Sequence, residues 1–109
     1  MRLKTEIWLK AYLHQCTAQA VPYYILHRGD ADFGTVILRL HTRDGLNRIL
    51  VQATGPDGEE AWMGALQGRA VPDEEAEAYL ARQTDIDPDA WVVEIEHPEG
   101  WHPFPGALL

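Results

Sequence analysis

The segment TVILRLH, residues 35–41, alternates strictly: Val36, Leu38 and Leu40 fall on one side of an extended chain, and Thr35, Ile37, Arg39 and His41 on the other. A period of two is what an antiparallel strand requires. Turn residues bracket it on both sides. Upstream, Gly29, Asp30, Asp32 and Gly34 mark a hairpin loop leading back to a first strand at Tyr23–Leu26, rich in β-formers. Downstream, Asp44-Gly45 is a turn, Arg48–Ala53 a third strand, Gly55-Pro56-Asp57-Gly58 another turn, and Glu60–Leu66 a weaker fourth strand. The middle of the chain therefore reads as a meander.

Helical patterns flank it. Residues 5–20 carry Thr5 as an N-cap, Glu6 in the first turn where the helix dipole favours an acid, and Glu6 and Lys10 in the favourable i,i+4 order. The polar residues Glu6, Lys10, His14 and Thr17 fall on a narrow stripe. Ile7, Trp8, Leu9, Ala11, Tyr12, Leu13 and Cys16 make an apolar arc wider than the roughly 100° that seats a helix on one sheet, so a second side needs cover. Pro22 stops this helix. A second is expected at 73–84, with Asp73, Glu74, Glu75 and Glu77 at its start, Ala76, Tyr79 and Leu80 as its buried face and Arg82 in its last turn. Trp91–Glu96 forms the last strand with Trp91, Val93 and Ile95 inward, and the tail from Gly100 to Leu109, holding Trp101 and Phe104 among prolines, is expected to lie extended against the body. The order α-β-β-β-β-α-β has too few crossover helices for a parallel sheet. It predicts one α+β domain over 1–109, with a four- to five-stranded, mainly antiparallel sheet and both helices on one face.

The charge is segregated along the chain. Residues 1–50 hold seven Lys or Arg against four acids, residues 51–109 two against thirteen, which gives +3 and −11 and the net −8. A strongly negative surface repels phosphate backbones and anionic lipid, and favours cationic partners or self-complementary pairing. Arg28, Arg39, Arg43 and Arg48 offer a basic stripe on the meander, but the net charge opposes the counterion release that drives nucleic-acid binding, so they are read as scattered solvated strand positions. MRLK followed by Ile7–Leu13 and Ala18-Gln19-Ala20 imitates a signal peptide, yet Glu6 and Lys10 interrupt the apolar run. No window approaches the roughly 20 apolar residues of a membrane span. A cytoplasmic protein is expected, and the lone Cys16 suits a reducing compartment.

Absences narrow the chemistry. The chain has no serine, no GxxxxGK[ST], no GxGxxG, no CxxC and no HExxH. Cys16 needs a nearby His to act as a nucleophile, and His14 lies two residues away on another face, so a buried apolar thiol is the better reading. His27, Asp30 and Asp32 make an H-x-x-D-x-D constellation at the first hairpin that can ligate a divalent metal, with His41 able to join in one strand register. The plainer explanation is that short acids satisfy turn backbone. Arg28-Gly29-Asp30 spells an adhesion tripeptide and is taken as coincidence. Asp85, Asp87, Asp89 and Glu96 imitate a calcium loop, but Pro88 and Ala90 stand at its fourth and sixth places, and Trp91–Glu96 is strand where a helix should begin. Capping accounts for them more simply, with Asp87 as an N-cap before an N1 proline.

MRLKTEIWLKAYL at the start, RGDADFG at the first loop, AYLARQ in the second helix and DPDAWVVEIE at the last strand resemble a family of short bacterial proteins classified only as a domain of unknown function. The similarity touches almost the whole chain and implies a self-contained bacterial domain. It transfers no activity, and Asp85 is not part of its pattern. The expected function is non-enzymatic binding, as a homodimer or with a protein partner, without cofactor, nucleic acid or membrane. The alternative is a metal-assisted enzyme using His27, Asp30 and Asp32.

Overall fold

The computed structural model describes residues 3–109. Its elements are α1 (Thr5–Ala18), β1 (Tyr23–His27), β2 (Val36–His41), β3 (Asn47–Thr54), β4 (Glu60–Gly64), a short 3-10 turn (Leu66–Gly68), α2 (Asp73–Ile86), β5 (Trp91–Glu96) and β6 (Ala107–Leu108). The class is α+β with two helices, as expected, and the boundaries lie close to those read from alternation. The sheet differs. It has six strands in the order β1-β5-β2-β3-β4-β6, and it is mixed, because β5 runs parallel to β2 and β6 parallel to β4.

The first hairpin does not exist as such. β5 is inserted between β1 and β2, pairing antiparallel with Tyr23–His27 on one side and parallel with Val36–His41 on the other. The loop from Arg28 to Thr35 passes over the start of β5 instead of closing a turn. Gly29 and Gly34 make that passage possible: a Cβ at either would lie 2.1 or 2.3 Å from the Asp89 carbonyl oxygen. The Asp30 amide donates to that same carbonyl at 2.9 Å, and the Trp91 indole donates to the Asp30 carbonyl at 2.7 Å.

Two helices on one face is the second correction. Val36, Leu38, Leu40, Trp91, Val93 and Ile95 pack against Trp8, Leu9, Leu13 and Cys16 of α1. The opposite set, Ile37, Ile49 and Val92, packs against Ala76 and Leu80 of α2 with Val71 and Ala90. The helices therefore cover opposite faces of the sheet. The physical reason lies in the central strands: Val36–Leu40 is buried at every position and so is Trp91–Val93, which is how strands beside a parallel neighbour look when both faces are covered.

The second side of the α1 arc is covered from within the chain. Phe104 is buried against Trp8 and Tyr12, the Trp62 indole donates to the Pro105 carbonyl at 3.0 Å, and the tail ends as β6 on the β4 edge. The head of α1 is held by the 31–34 loop. The amides of Thr5 and Glu6 donate to the Asp32 and Ala31 carbonyls at 3.2 and 2.9 Å, and the Thr5 hydroxyl donates to the Gly34 carbonyl at 2.9 Å. Thr5 is thus the first helical residue rather than the cap, and carbonyls distant in sequence satisfy amides that a helix end leaves unpaired.

Candidate functional site

The sequence candidates do not converge. His27 ends β1 on the α2 side of the sheet, and its Nδ1 donates to the Ala90 carbonyl at 2.8 Å. Asp30 folds back on its own loop, where Oδ2 accepts from the Asp32 and Phe33 amides at 3.1 and 2.7 Å. Asp32 sits at the head of α1 with Lys4 3.7 Å away. His41 lies level with Glu96 while His27 lies level with Val92, which separates them by about 13 Å along the strand direction. Among the described residues no three His, Cys, Asp or Glu side chains are grouped so as to hold a metal ion. The calcium-loop imitation is dispersed likewise. Asp85 belongs to α2, Asp87 ends it and accepts from the Asp89 amide at 3.1 Å in a turn rather than starting a helix, and Glu96 lies at the far end of β5.

Arg28 of the adhesion-like tripeptide is used structurally. Its Nη2 donates to Glu6 at 2.6 Å, and its guanidinium lies 5.1 Å from the centre of the Trp91 ring. Cys16 is fully buried, and desolvation pushes its thiol above the ordinary range, as befits an unreactive core thiol.

Sequence reasoning missed the arginine that matters most. Arg39 is not a solvated strand position: only 7% of it is exposed, on the central strand, beneath the start of α2. Its Nε donates to Asn47 Oδ1 at 3.0 Å and its Nη2 to Asp73 Oδ1 at 2.9 Å, with Glu94 and Glu77 at 3.5 and 3.7 Å. Asn47, fully buried, also accepts from His41 Nδ1 at 2.9 Å and donates to Asp73 at 2.8 Å and to the Val71 carbonyl at 3.1 Å. The Asn47 hydrogen bond, then Arg39, holds the Asp73 carboxyl below its usual range. Burial pushes Glu94 the other way, with Glu96 adding repulsion, and together they exceed the pull of Arg39. What the sequence did offer was Ile37 on the same side as Arg39, and Asp73 and Glu77 one helical turn apart. Chemically, the guanidinium is a clamp that ties α2 to β2, β3 and β5.

Beyond this clamp α2 stops covering the sheet. Leu26, His27, Arg39, Glu77, Leu80 and Val92 line a shallow cavity of about 180 Å³ that opens towards β1. β1 itself is an outer strand, and Tyr24, Ile25 and Leu26 are 49%, 39% and 47% exposed. Outer strands are ordinarily blunted by charge, a bulge or a short run, because their unpaired amides and carbonyls template association. Tyr23–His27 carries no Asp, Glu, Lys or Arg, and its register shift falls only at its end, between Ile25 and His27.

The family model described as a protein of unknown function, DUF1491, matches residues 3–105. A crystal structure of a DUF1491 family protein from Caulobacter crescentus CB15 is 33% identical, with a TM-score of 0.88 over 99% of this chain and 100% of that one. An NMR structure of a DUF1491 family protein from the same organism is 34% identical, with a TM-score of 0.85 over 100% and 98%. A solution structure of a protein from A. tumefaciens is 30% identical, with a TM-score of 0.72 over 89% and 87%. No curated protein matches the chain. No helix among the described residues is long and apolar enough to cross a membrane. With its match spanning nearly the whole chain and relatives of the same fold at this identity, the protein belongs to the DUF1491 family.

Proposed function

We propose that the domain works by binding protein, through the β1 edge and the sheet face that α2 leaves open. The observation that carries this reading is the apolar, half-exposed strand Tyr24-Ile25-Leu26 at the rim of the sheet. An edge of this composition gains main-chain hydrogen bonds and apolar contacts together when another strand adds to it. The charge pattern supports the same reading. The chain is acidic overall, yet Tyr23 to Gly29 contains no acid, so the edge lies in a stretch free of the repulsion that a net −8 imposes elsewhere.

The test is sedimentation equilibrium of the full chain from low micromolar to millimolar protein, at low and moderate salt. A weight-average mass that rises with concentration above 12.3 kDa supports association. Hydrogen exchange then has to slow at Tyr23 and Ile25 as concentration rises. A 12.3 kDa particle at every concentration, with unchanged exchange at β1, overturns self-association.

A further inference from the structure

We infer that the hollow between the C-terminal tail and the sheet binds a small monocarboxylate with an apolar or aromatic body, held by Arg48 and His102. This site lies in the half of the sheet formed by β2, β3, β4 and β6, away from the β1 edge, and stands independently of the binding role proposed above.

Strand alternation builds its floor. Leu40, Leu50 and Trp62, from β2, β3 and β4, belong to the core beneath α1. Arg48, level with Leu40 and one alternation before Leu50, projects from that same face. The tail supplies the wall with Glu99, Gly100, His102, Gly106 and Leu108, and the space between is about 390 Å³, within the roughly 300–1,000 Å³ of small-molecule sites. The wall is fixed in place. The Trp62 indole donates to the Pro105 carbonyl at 3.0 Å, and the Leu109 amide donates to the Trp62 carbonyl at 2.8 Å.

Two donors line this hollow without partners. The His102 Nδ1 accepts the Phe104 amide at 3.1 Å, so the proton of the neutral ring sits on Nε2. Nε2 has no hydrogen-bond partner among the described residues, yet no buried side-chain nitrogen or oxygen there lacks one, so Nε2 is open to solvent. Holding the tail requires Nδ1 alone. Burial lowers the pKa of the ring, so at neutral pH it offers its N–H without a charge. Arg48 is exposed and makes no ion pair among the described residues, although the chain holds 17 acids.

These groups select the ligand. A guanidinium takes a planar carboxylate in a two-pronged hydrogen bond, and a neutral N–H on the same hollow adds a further donor. Arg48 offsets one negative charge, and a second meets Glu99 on the rim. The floor of Leu40, Leu50 and Trp62 calls for an uncharged remainder, which favours an aliphatic or aryl acid over phosphate or a dicarboxylate. The net −8 of the chain does not oppose this, because at physiological salt exposed charges beyond about 8 Å are largely screened and the lining groups decide.

The test titrates the full chain with phenylacetate, phenylacetamide and succinate, using calorimetry for affinity and NMR of the His102 ring and the Trp62 indole for location. Phenylacetate is expected to bind saturably and shift both rings. Its affinity is expected to be about tenfold or more above that of phenylacetamide, which lacks the charge, and of succinate, which carries two charges and no apolar body. Arg48→Gln changes an exposed position, and His102→Asn retains an oxygen for the amide two residues on while losing the outer donor. Both are expected to keep the fold by circular dichroism and to weaken phenylacetate about tenfold. Arg48→Gln alone decides if His102→Asn loosens the tail. The site is overturned by phenylacetamide or succinate binding as tightly as phenylacetate, by an affinity unchanged in either folded variant, or by no saturable shift up to about 10 millimolar phenylacetate.

Discussion

Phe104 lies stacked on Trp8, with ring centroids 4.9 Å apart and planes 24° from parallel, so the tail closes the first helix's apolar arc from inside the chain. The same ring meets Tyr12 and Trp62 at 5.9 and 6.0 Å. Phe104→Ala is expected to cost about 3–5 kcal/mol, the range for emptying a buried aromatic site. Urea unfolding followed by tryptophan fluorescence measures it. Truncation after Gly100 removes this cover altogether, and the shortened chain is expected to bind a hydrophobic dye and to self-associate.

Among the described residues Arg39 is the one Lys or Arg paired with Asp73, Glu77 and Glu94, and Asn47 depends on it for a buried hydrogen bond. Taking it away strands the partly buried Glu94 carboxylate and the buried Asn47. Arg39→Ala is expected to lose about 3–5 kcal/mol of stability. Asp73→Asn, at an exposed position that keeps an acceptor oxygen, loses less. Chemical denaturation of both variants gives the ranking, and a milder effect for Arg39→Ala would show that the acids relax into solvent without it.

The pH dependence has two opposed contributions. Burial lowers the His102 pKa from its ordinary 6.5, and its Nδ1 accepts the Phe104 amide at 3.1 Å, so the fold holds the ring neutral. Its contribution is complete above 6.5 and falls as pH drops through that value, because the unfolded chain then binds the extra proton. Glu94 behaves in reverse. Its folded pKa is raised above 4.5, so its contribution is present below that value and lost as pH rises through the folded pKa. Glu94→Gln is therefore expected to raise the melting temperature at pH 7 and to lose that gain in acid. His102→Leu is expected to flatten the stability profile as pH falls below 6.5. Thermal melts across pH, with NMR titration of the His102 ring, decide both.

Asp30 and Asp32 serve the loop and the helix head. Changing both to Ala is expected to cost on the order of 1 kcal/mol in turn stability. Calcium, magnesium or zinc is expected to leave the melting temperature of the parent chain unchanged. A metal-dependent rise abolished in the double variant would instead favour a metal-assisted site at this loop.

Local pattern carried most of the secondary structure and little of the pairing. Trp91–Glu96 appears residue for residue, since alternation and turn chemistry act within a few positions. Which strand lies beside which depends on long-range clearances such as those at Gly29 and Gly34, and a glycine flanking a loop reads equally well as a hairpin. The two-faced burial of β2 was visible in Val36-Ile37-Leu38, but a polar Arg39 and His41 on one side made that side look solvated. Only the acids of α2 and β5, far along the chain, explain why an arginine sits there. The candidate site followed the same logic: side chains that share a loop in sequence were sent to opposite faces by the inserted strand.

That insertion also governs the order in which the molecule can be built. β1 and β2 are made early, yet neither touches the other, and the strand that joins them spans Trp91–Glu96. During synthesis the first half of the chain therefore holds two strands with bare facing edges and no means of closing the gap. Closure of the sheet waits until Trp91–Glu96 has been made, which puts contacts far apart in sequence at the centre of the folding reaction.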